Sequence, residues 1–368
     1  MIQISRNKKY SAKGNSEGLA EGKYRRRQIS PKASIVILAA GILLSAENMY
    51  AENPQFSQYY NSQLLIAPSF AGNSLGSRAY VSYRDQWAKL PGSYVTYSVA
   101  LDNNFYAINS GFGLVAMRDV AGSARLGTTS ATGLYSYRFN ITDDWRIRPG
   151  ISFSFAQRSL QWGRAIFPDV ITEQGNDINT IEPFYDPYNY FDASSSVVVY
   201  NRRLWLGLCV DHLLRPNTSF ARLDARAHMQ WSQFGGINFP LTNSVGKVPE
   251  VITLNYLFKM ARDFRQMDIG LNWYRAPLLL GFAWRGLPAS EYPSYDCLIF
   301  SIGVAYNNMA FGYSYDFTVS ILGAPTGGSH EITLSISFNE GSKTNKQGAI
   351  PCPDVVKFRM FGDKESFR

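Results

Sequence analysis

Four separated stretches of this chain alternate with period two, and the two alternating sets differ in size more than in charge. In Tyr295 to Asn307, Leu298, Phe300, Ile302, Val304 and Tyr306 fall on one face and Cys297, Ser301, Gly303 and Ala305 on the other. Met309, Phe311, Tyr313, Tyr315 and Phe317 alternate with Ala310, Gly312, Ser314 and Asp316. In His330 to Phe338, Ile332, Leu334, Ile336 and Phe338 oppose Glu331, Thr333, Ser335 and Ser337. Trp145, Ile147, Ile151, Phe153 and Phe155 likewise oppose Arg146, Arg148, Gly150, Ser152 and Ser154. A soluble β-sandwich also alternates, but its outer face is solvated by long charged side chains. Here the second face is mainly Gly, Ala, Ser and Thr, which suits a crowded lumen, and the first is bulky and often aromatic, which suits lipid. The expected fold class is all-β, a transmembrane antiparallel barrel.

Composition agrees with that mixture. Tyr and Phe number 23 each, charged residues make up 17%, and mean hydropathy is −0.17. An average globular chain carries about 25% charge. The net charge of +8 would suggest a nucleic-acid binder if it were spread along the chain. It is not: residues 1–51 hold nine basic and three acidic residues, net +6, leaving +2 for the rest. The basic leader precedes the apolar run Ala33 to Ala46, at about 14 residues too short for the ~20 of a spanning helix. It reads as a signal peptide, with cleavage after Ala46 or Ala51; the plainer alternative is a buried core helix. Arg25, Arg26 and Arg27 superficially suggest a twin-arginine signal, but that route carries folded cargo, which a barrel cannot be. Cys209, Cys297 and Cys352 are far apart and form neither a CxxC nor a zinc spacing, so no metal or cofactor is expected.

From residue 78 the alternation predicts about fourteen strands, near 78–87, 92–102, 110–119, 126–139, 145–158, 192–201, 203–213, 226–238, 249–260, 264–275, 277–286, 295–307, 309–317 and 329–338. The strand at 226–238 alternates poorly. The even connections are mostly tight and several odd ones long, Ser159 to Phe191 above all, as in barrels with short periplasmic turns and long outer loops. The expected organisation is a signal at 1–51, a periplasmic or plug segment at 52–77, the barrel at 78–338 and a periplasmic tail at 339–368.

Several motifs resemble the PorP/SprF family of type IX secretion outer-membrane components. The stretch NPQFSQYYNSQLLIAPSFAGN, with Phe56, Ser57, Gln58 and Tyr59, is similar to that family's opening, although Ala67 and Ser69 depart from it. YRDQW follows on the first strand (Tyr83, Arg84, Asp85, Gln86, Trp87), then DVAG (Asp119 to Gly122), FPD (Phe167 to Asp169) and YFDAS (Tyr190 to Ser194). LGLCVDHLLRPNTSF, with His212, Pro216 and Asn217, and the closing GSHEITLSISF complete the set; Asp211 stands where a His is expected. The resemblance implies an adaptor in the outer membranes of Bacteroidota, with secretion machinery, cargo proteins and lipid as partners, no nucleic acid, and a possible link to gliding motility. Physically the same residues have simpler readings. Arg84 and Asp85 are strand neighbours and face opposite ways, and a charge in the lumen needs a partner, so a structural ion pair comes first. Trp87 fits an aromatic girdle, and Pro216 with Asn217 suits a fixed turn.

Two other classes compete with the adaptor, an enzyme and a pore. A hydrolase needs a nucleophile, a base and an orienting group brought together. His212, His228 and His330 are the histidines; all three are placed on strands, and Asp211 beside His212 would point away from it. No catalytic residue is expected. A small-solute porin is the stronger rival, since strand number and a small uncharged lumen do not separate it from an adaptor.

Overall fold

The computed structural model describes residues 54–74, 76–123, 125–161, 186–219, 225–241, 250–262, 264–287, 294–320, 323–338 and 350. The leader 1–51, the FPD motif, most of the connection after residue 159, Cys352 and all of the tail except Ile350 lie outside them. No helix among the described residues is long and apolar enough to cross a membrane, which says nothing about strands.

Strands dominate: β1 (Ser77–Gln86), β2 (Tyr94–Phe105), β3 (Ser110–Ala121), β4 (Leu126–Tyr137), β5 (Phe139–Asn140), β6 (Arg146–Ser159), β7 (Tyr188–Tyr200), β8 (Leu204–Asp211), β9 (Gln230–Pro240), β10 (Glu250–Ala261), β11 (Phe264–Arg275), β12 (Leu278–Leu287), β13 (Ser294–Tyr306), β14 (Met309–Thr318) and β15 (Ser329–Phe338). Each pairs antiparallel with its neighbours, β4 with β6 past the two-residue β5, and β1 with β15. The result is a closed barrel of fourteen long strands, the number the alternation gives. Closure leaves no unpaired edge, the condition for a sheet to sit in lipid.

The two faces separate as the size alternation requires. Phe153, Phe300, Ile302, Phe311 and Leu334 are exposed on the outside, while Ser314, Thr333 and Ser335 are buried in the lumen. Several strand ends differ from expectation, four of them for reasons visible locally. β1 stops at Gln86 because Trp87 takes φ +60° and donates its N–H to Gly328 O. β8 stops at Asp211 because His212 takes φ +60°. β9 starts at Gln230 rather than residue 226, because the preceding backbone closes a separate hairpin: Arg226 bridges Asn217 and Ala227 N donates to Pro216 O. β7 begins four residues early, at Tyr188, where it continues its ladder with Arg158.

The lumen is filled by the chain itself. Pro54 to Ser74 runs inside the barrel, with Phe56, Tyr59, Tyr60, Leu64 and Phe70 buried there. Fully burying a Leu or Phe stabilises by about 1.5–3 kcal/mol; Phe70 packs on Phe234 of β9 at 5.2 Å between centroids. Two short 3₁₀ turns, Gln63–Leu65 and Pro68–Phe70, satisfy part of the segment's backbone, Pro68 presetting φ at the start of the second. The remaining groups bond to the wall, since a buried orphan amide is costly. Ser69 N donates to Ser196 Oγ (2.8 Å), Gly72 N and Ser74 N to the Asp102 carboxylate, and Ala71 O accepts from Ser136 Oγ (2.7 Å) and Arg148 Nη1 (3.2 Å). Room for this backbone is made by glycine: a Cβ on Gly111 would lie 2.1 Å from Ala71 O, and one on Gly150 2.4 Å from Ser69 N.

Candidate functional site

The barrel has a loop end, carrying the connections after β1, β3, β6, β8, β10, β12 and β14, and a turn end where β1 begins and β15 finishes. Two clusters of motif residues form toward the loop end.

The first holds the start of the plug. Ser57 Oγ donates to Asp316 Oδ2 (2.6 Å), and the backbone N–H groups of Ser57 and Gln58 donate to the two oxygens of Glu331 (2.6 and 3.0 Å). Arg84 bridges the same acids, with Nη2 2.7 Å from Asp316 Oδ2 and Nη1 3.2 Å from Glu331 Oε2, and donates to Ser57 Oγ at 2.8 Å. Arg285 grips Asp268 (3.0 Å) and reaches Asp316 (3.5 Å), and Gln55 Nε2 donates to Asp268 Oδ2 at 3.3 Å. All five charged side chains are buried. Isolated, any of them would be very costly there; together the two arginines offset two of the three carboxylate charges, and the backbone N–H donors of Ser57 and Gln58 help to hold the third, so the cluster clamps the peptide. Arg84 thus has the ion pairs expected of it. Tyr59 accepts from Asn255, and Gln58 donates to Glu331 O (3.2 Å), so the opening motif meets three distant parts of the wall.

The rest of YRDQW points elsewhere. Tyr83 faces outward and packs on Tyr97 at 5.1 Å, and Trp87 packs on Tyr94 at 5.2 Å, both at the rim. Asp85 also faces outward, opposite His330 in the register, and Gln86 closes the strand. On the lumen side of β3, Asp119 accepts from Thr96 Oγ1 at 2.6 Å. Gly122 takes φ +72° in the turn that follows, where a side chain would be strained.

The second cluster ties the loop between β8 and β9 to the barrel. His212 and His228 lie outside strands, a correction to the sequence-based placement; His330 is on β15. The carboxylate that His212 hydrogen-bonds lies on another strand. The left-handed backbone of His212 swings the ring to β7, where Nδ1 hydrogen-bonds Asp192 Oδ2, joining the YFDAS and DHLLRPN motifs. Leu213 N donates to Ala193 O, Asn217 Oδ1 accepts from Ser219 N and Ala225 N, Pro216 is buried, and Arg158 Nη1 donates to Thr218 O at 2.9 Å. Burial opposes protonation of His212, but the hydrogen bond and charge of Asp192, with the charge of Asp211, outweigh it and raise its pKa. A raised folded-state value means that this contribution to stability is fully present below the unfolded pKa of about 6.5 and is lost as pH rises through the folded one. Amide exchange of Leu213 to Ser219 should therefore quicken beyond its intrinsic rise as pH climbs above about 6.5, and His212→Gln should remove the excess.

Sequence reasoning missed Asp268, Arg285 and Asp192, and it set Asp316 and Glu331 among small lumenal residues without drawing the consequence. A lone acid in a face of Ala, Gly, Ser and Thr was the available signal. Among the described residues no group of three or more His, Cys, Asp or Glu could hold a metal ion, and Cys209 and Cys297 are buried free thiols.

Fold and lumen define a plugged β-barrel with an apolar outer belt, the architecture of an outer-membrane protein. Residues 32–336 match the family described as type IX secretion system membrane protein PorP/SprF. The chain belongs to that family, and it is located in the outer membrane. No curated protein matches it in sequence. Solved structures with some likeness include the Acinetobacter baumannii outer membrane protein Omp33 (TM-score 0.41, 8% identity, 73% of this chain and 100% of that one). The CymD monoaromatic hydrocarbon channel has TM-score 0.41 and 10% identity, covering 79% of this chain and 95% of that one. The KdgM porin in complex with disordered oligogalacturonate has TM-score 0.30 and 11% identity, with 71% and 99% covered.

Proposed function

We propose that this barrel is a non-enzymatic adaptor of type IX secretion that supports export or surface anchoring of one or a few cargo proteins. The observation that carries the reading is the filled lumen: Pro54 to Ser74 occupies the interior and is fixed to it by hydrogen bonds to buried, ion-paired side chains of the wall. Such an interior is unsuited to solute flow, and a barrel of this size cannot pass a folded protein. Docking surfaces at its two ends remain. The loop end faces the cell exterior in this reading, following the rule that outer loops are long and periplasmic turns short, and the tail after Phe338 is periplasmic. Deleting the gene should stop secretion or anchoring of specific cargo while small-solute permeability stays almost unchanged, read by proteomics of medium and cell surface beside a solute-uptake assay. Normal secretion of every cargo with loss of uptake of a solute would replace the adaptor by the porin.

A further inference from the structure

The outer face of the barrel is not uniform around its circumference. On five adjacent strands, toward the loop end, one lateral row consists of Tyr97 (β2), Arg118 (β3), Thr129 (β4), Gln157 (β6) and Asn189 (β7), each the register partner of the next. All five are exposed on the lipid-facing side. Four residues farther from the loop end on β3 comes Leu114, whose own row includes Leu101 and Phe153, each at least half exposed. At about 3.4 Å per residue and a tilt of 35–45°, the rows are about 10 Å apart along the barrel axis. On β8, the strand next to β7, the outward positions (Leu204, Leu206, Leu208) are apolar almost to the strand end. Arg118 has no ion pair or hydrogen bond to the described residues, whereas the lumenal Arg84 and Arg285 each pair with two acids.

A cation at the polar edge of an apolar wall, flanked by a hydroxyl on either side and by amides beyond, suits an anionic amphiphile. Guanidinium takes a phosphate bidentately, and the side chains of its row can donate to the remaining oxygens, while acyl chains lie on Leu114 and Phe153. We infer that this row is a binding site for the phosphorylated headgroup of an outer-leaflet glycolipid. The inference rests on the loop end facing outward, as proposed above.

The test uses the purified full chain in detergent micelles, with bisphosphorylated lipid A added and bound lipid counted by native mass spectrometry. Wild type should hold one lipid tightly, Arg118→Ala should weaken its retention about tenfold, and Arg265→Ala, a change at another outward arginine near the loop end, should not. Lipid A stripped of phosphate should bind no better to wild type than to Arg118→Ala, and inorganic phosphate should not compete. Equal retention by Arg118→Ala and wild type would overturn the site. Arg118-dependent binding that prefers phosphatidylglycerol over lipid A would overturn it differently, by placing the row in the inner leaflet. Loss of a bound protein instead of lipid would make the face a protein contact and also overturn it.

Discussion

Glu331→Ala should release the plug and turn a closed barrel into a conducting one. The carboxylate accepts two backbone N–H groups of the plug and the Arg84 guanidinium, all buried, so its removal leaves three donors without that acceptor. Breaking a buried charge pair from one side costs about 3–5 kcal/mol, a large share of what can hold a twenty-residue segment in place. Planar-bilayer recordings should show openings that are rare in wild type, and limited proteolysis should cut between Gln55 and Ser74. Gly150→Leu attacks the same segment near its other end without touching a charge, because any Cβ there collides with the Ser69 backbone. It should conduct as well. If both variants remain as closed as wild type, the segment is not what seals the lumen.

The second large effect lies on the other side of the wall. Ile302 faces outward near the middle of β13, between Leu280 and Tyr313 in the register, and an arginine there should cost about 2–4 kcal/mol near the bilayer midplane. The control is Tyr306→Arg on the same strand at the turn end, where the cost is about 0–1 kcal/mol. Urea titrations of folding into lipid vesicles would read the difference, and equal costs would reject the assigned register. Ser301, which the alternation places on the lumenal face, is not a usable control: Tyr60 donates its hydroxyl to Ser301 Oγ at 2.9 Å. An arginine at that site would push into the plug.

That contrast shows what could be read in advance. The strand count, most strand ends and both faces of β13 to β15 follow from side-chain size at period two, because lipid and a crowded lumen select size at every second position. Two of the ends that moved did so at Trp87 and His212, non-glycine residues in left-handed backbone, which alternation does not register. The clamp was half legible. Arg84 announced a need for a partner, but its partners come from strands more than two hundred residues away and are brought beside it by closure of the barrel. Ile350 was not legible at all. It is fully buried, and its N–H donates to Asn73 Oδ1 at 2.6 Å, a contact between the tail and the base of the plug that no local pattern encodes.

Arg84 and Glu331 are also direct partners in the register of β1 and β15, the pair of strands through which the first and last parts of the sheet meet. Ser57 and Gln58 are therefore fastened across the join itself, like a bolt through two leaves of a door. The peptide cannot be fully gripped before the final strand arrives, and once gripped it holds that strand against the first. Withdrawing the bolt removes atoms that also brace the join, so a partner that pulls the amino-terminal segment free leaves β1 and β15 held by their own backbone ladder and the Arg84–Glu331 pair, with one fastener fewer at the seam.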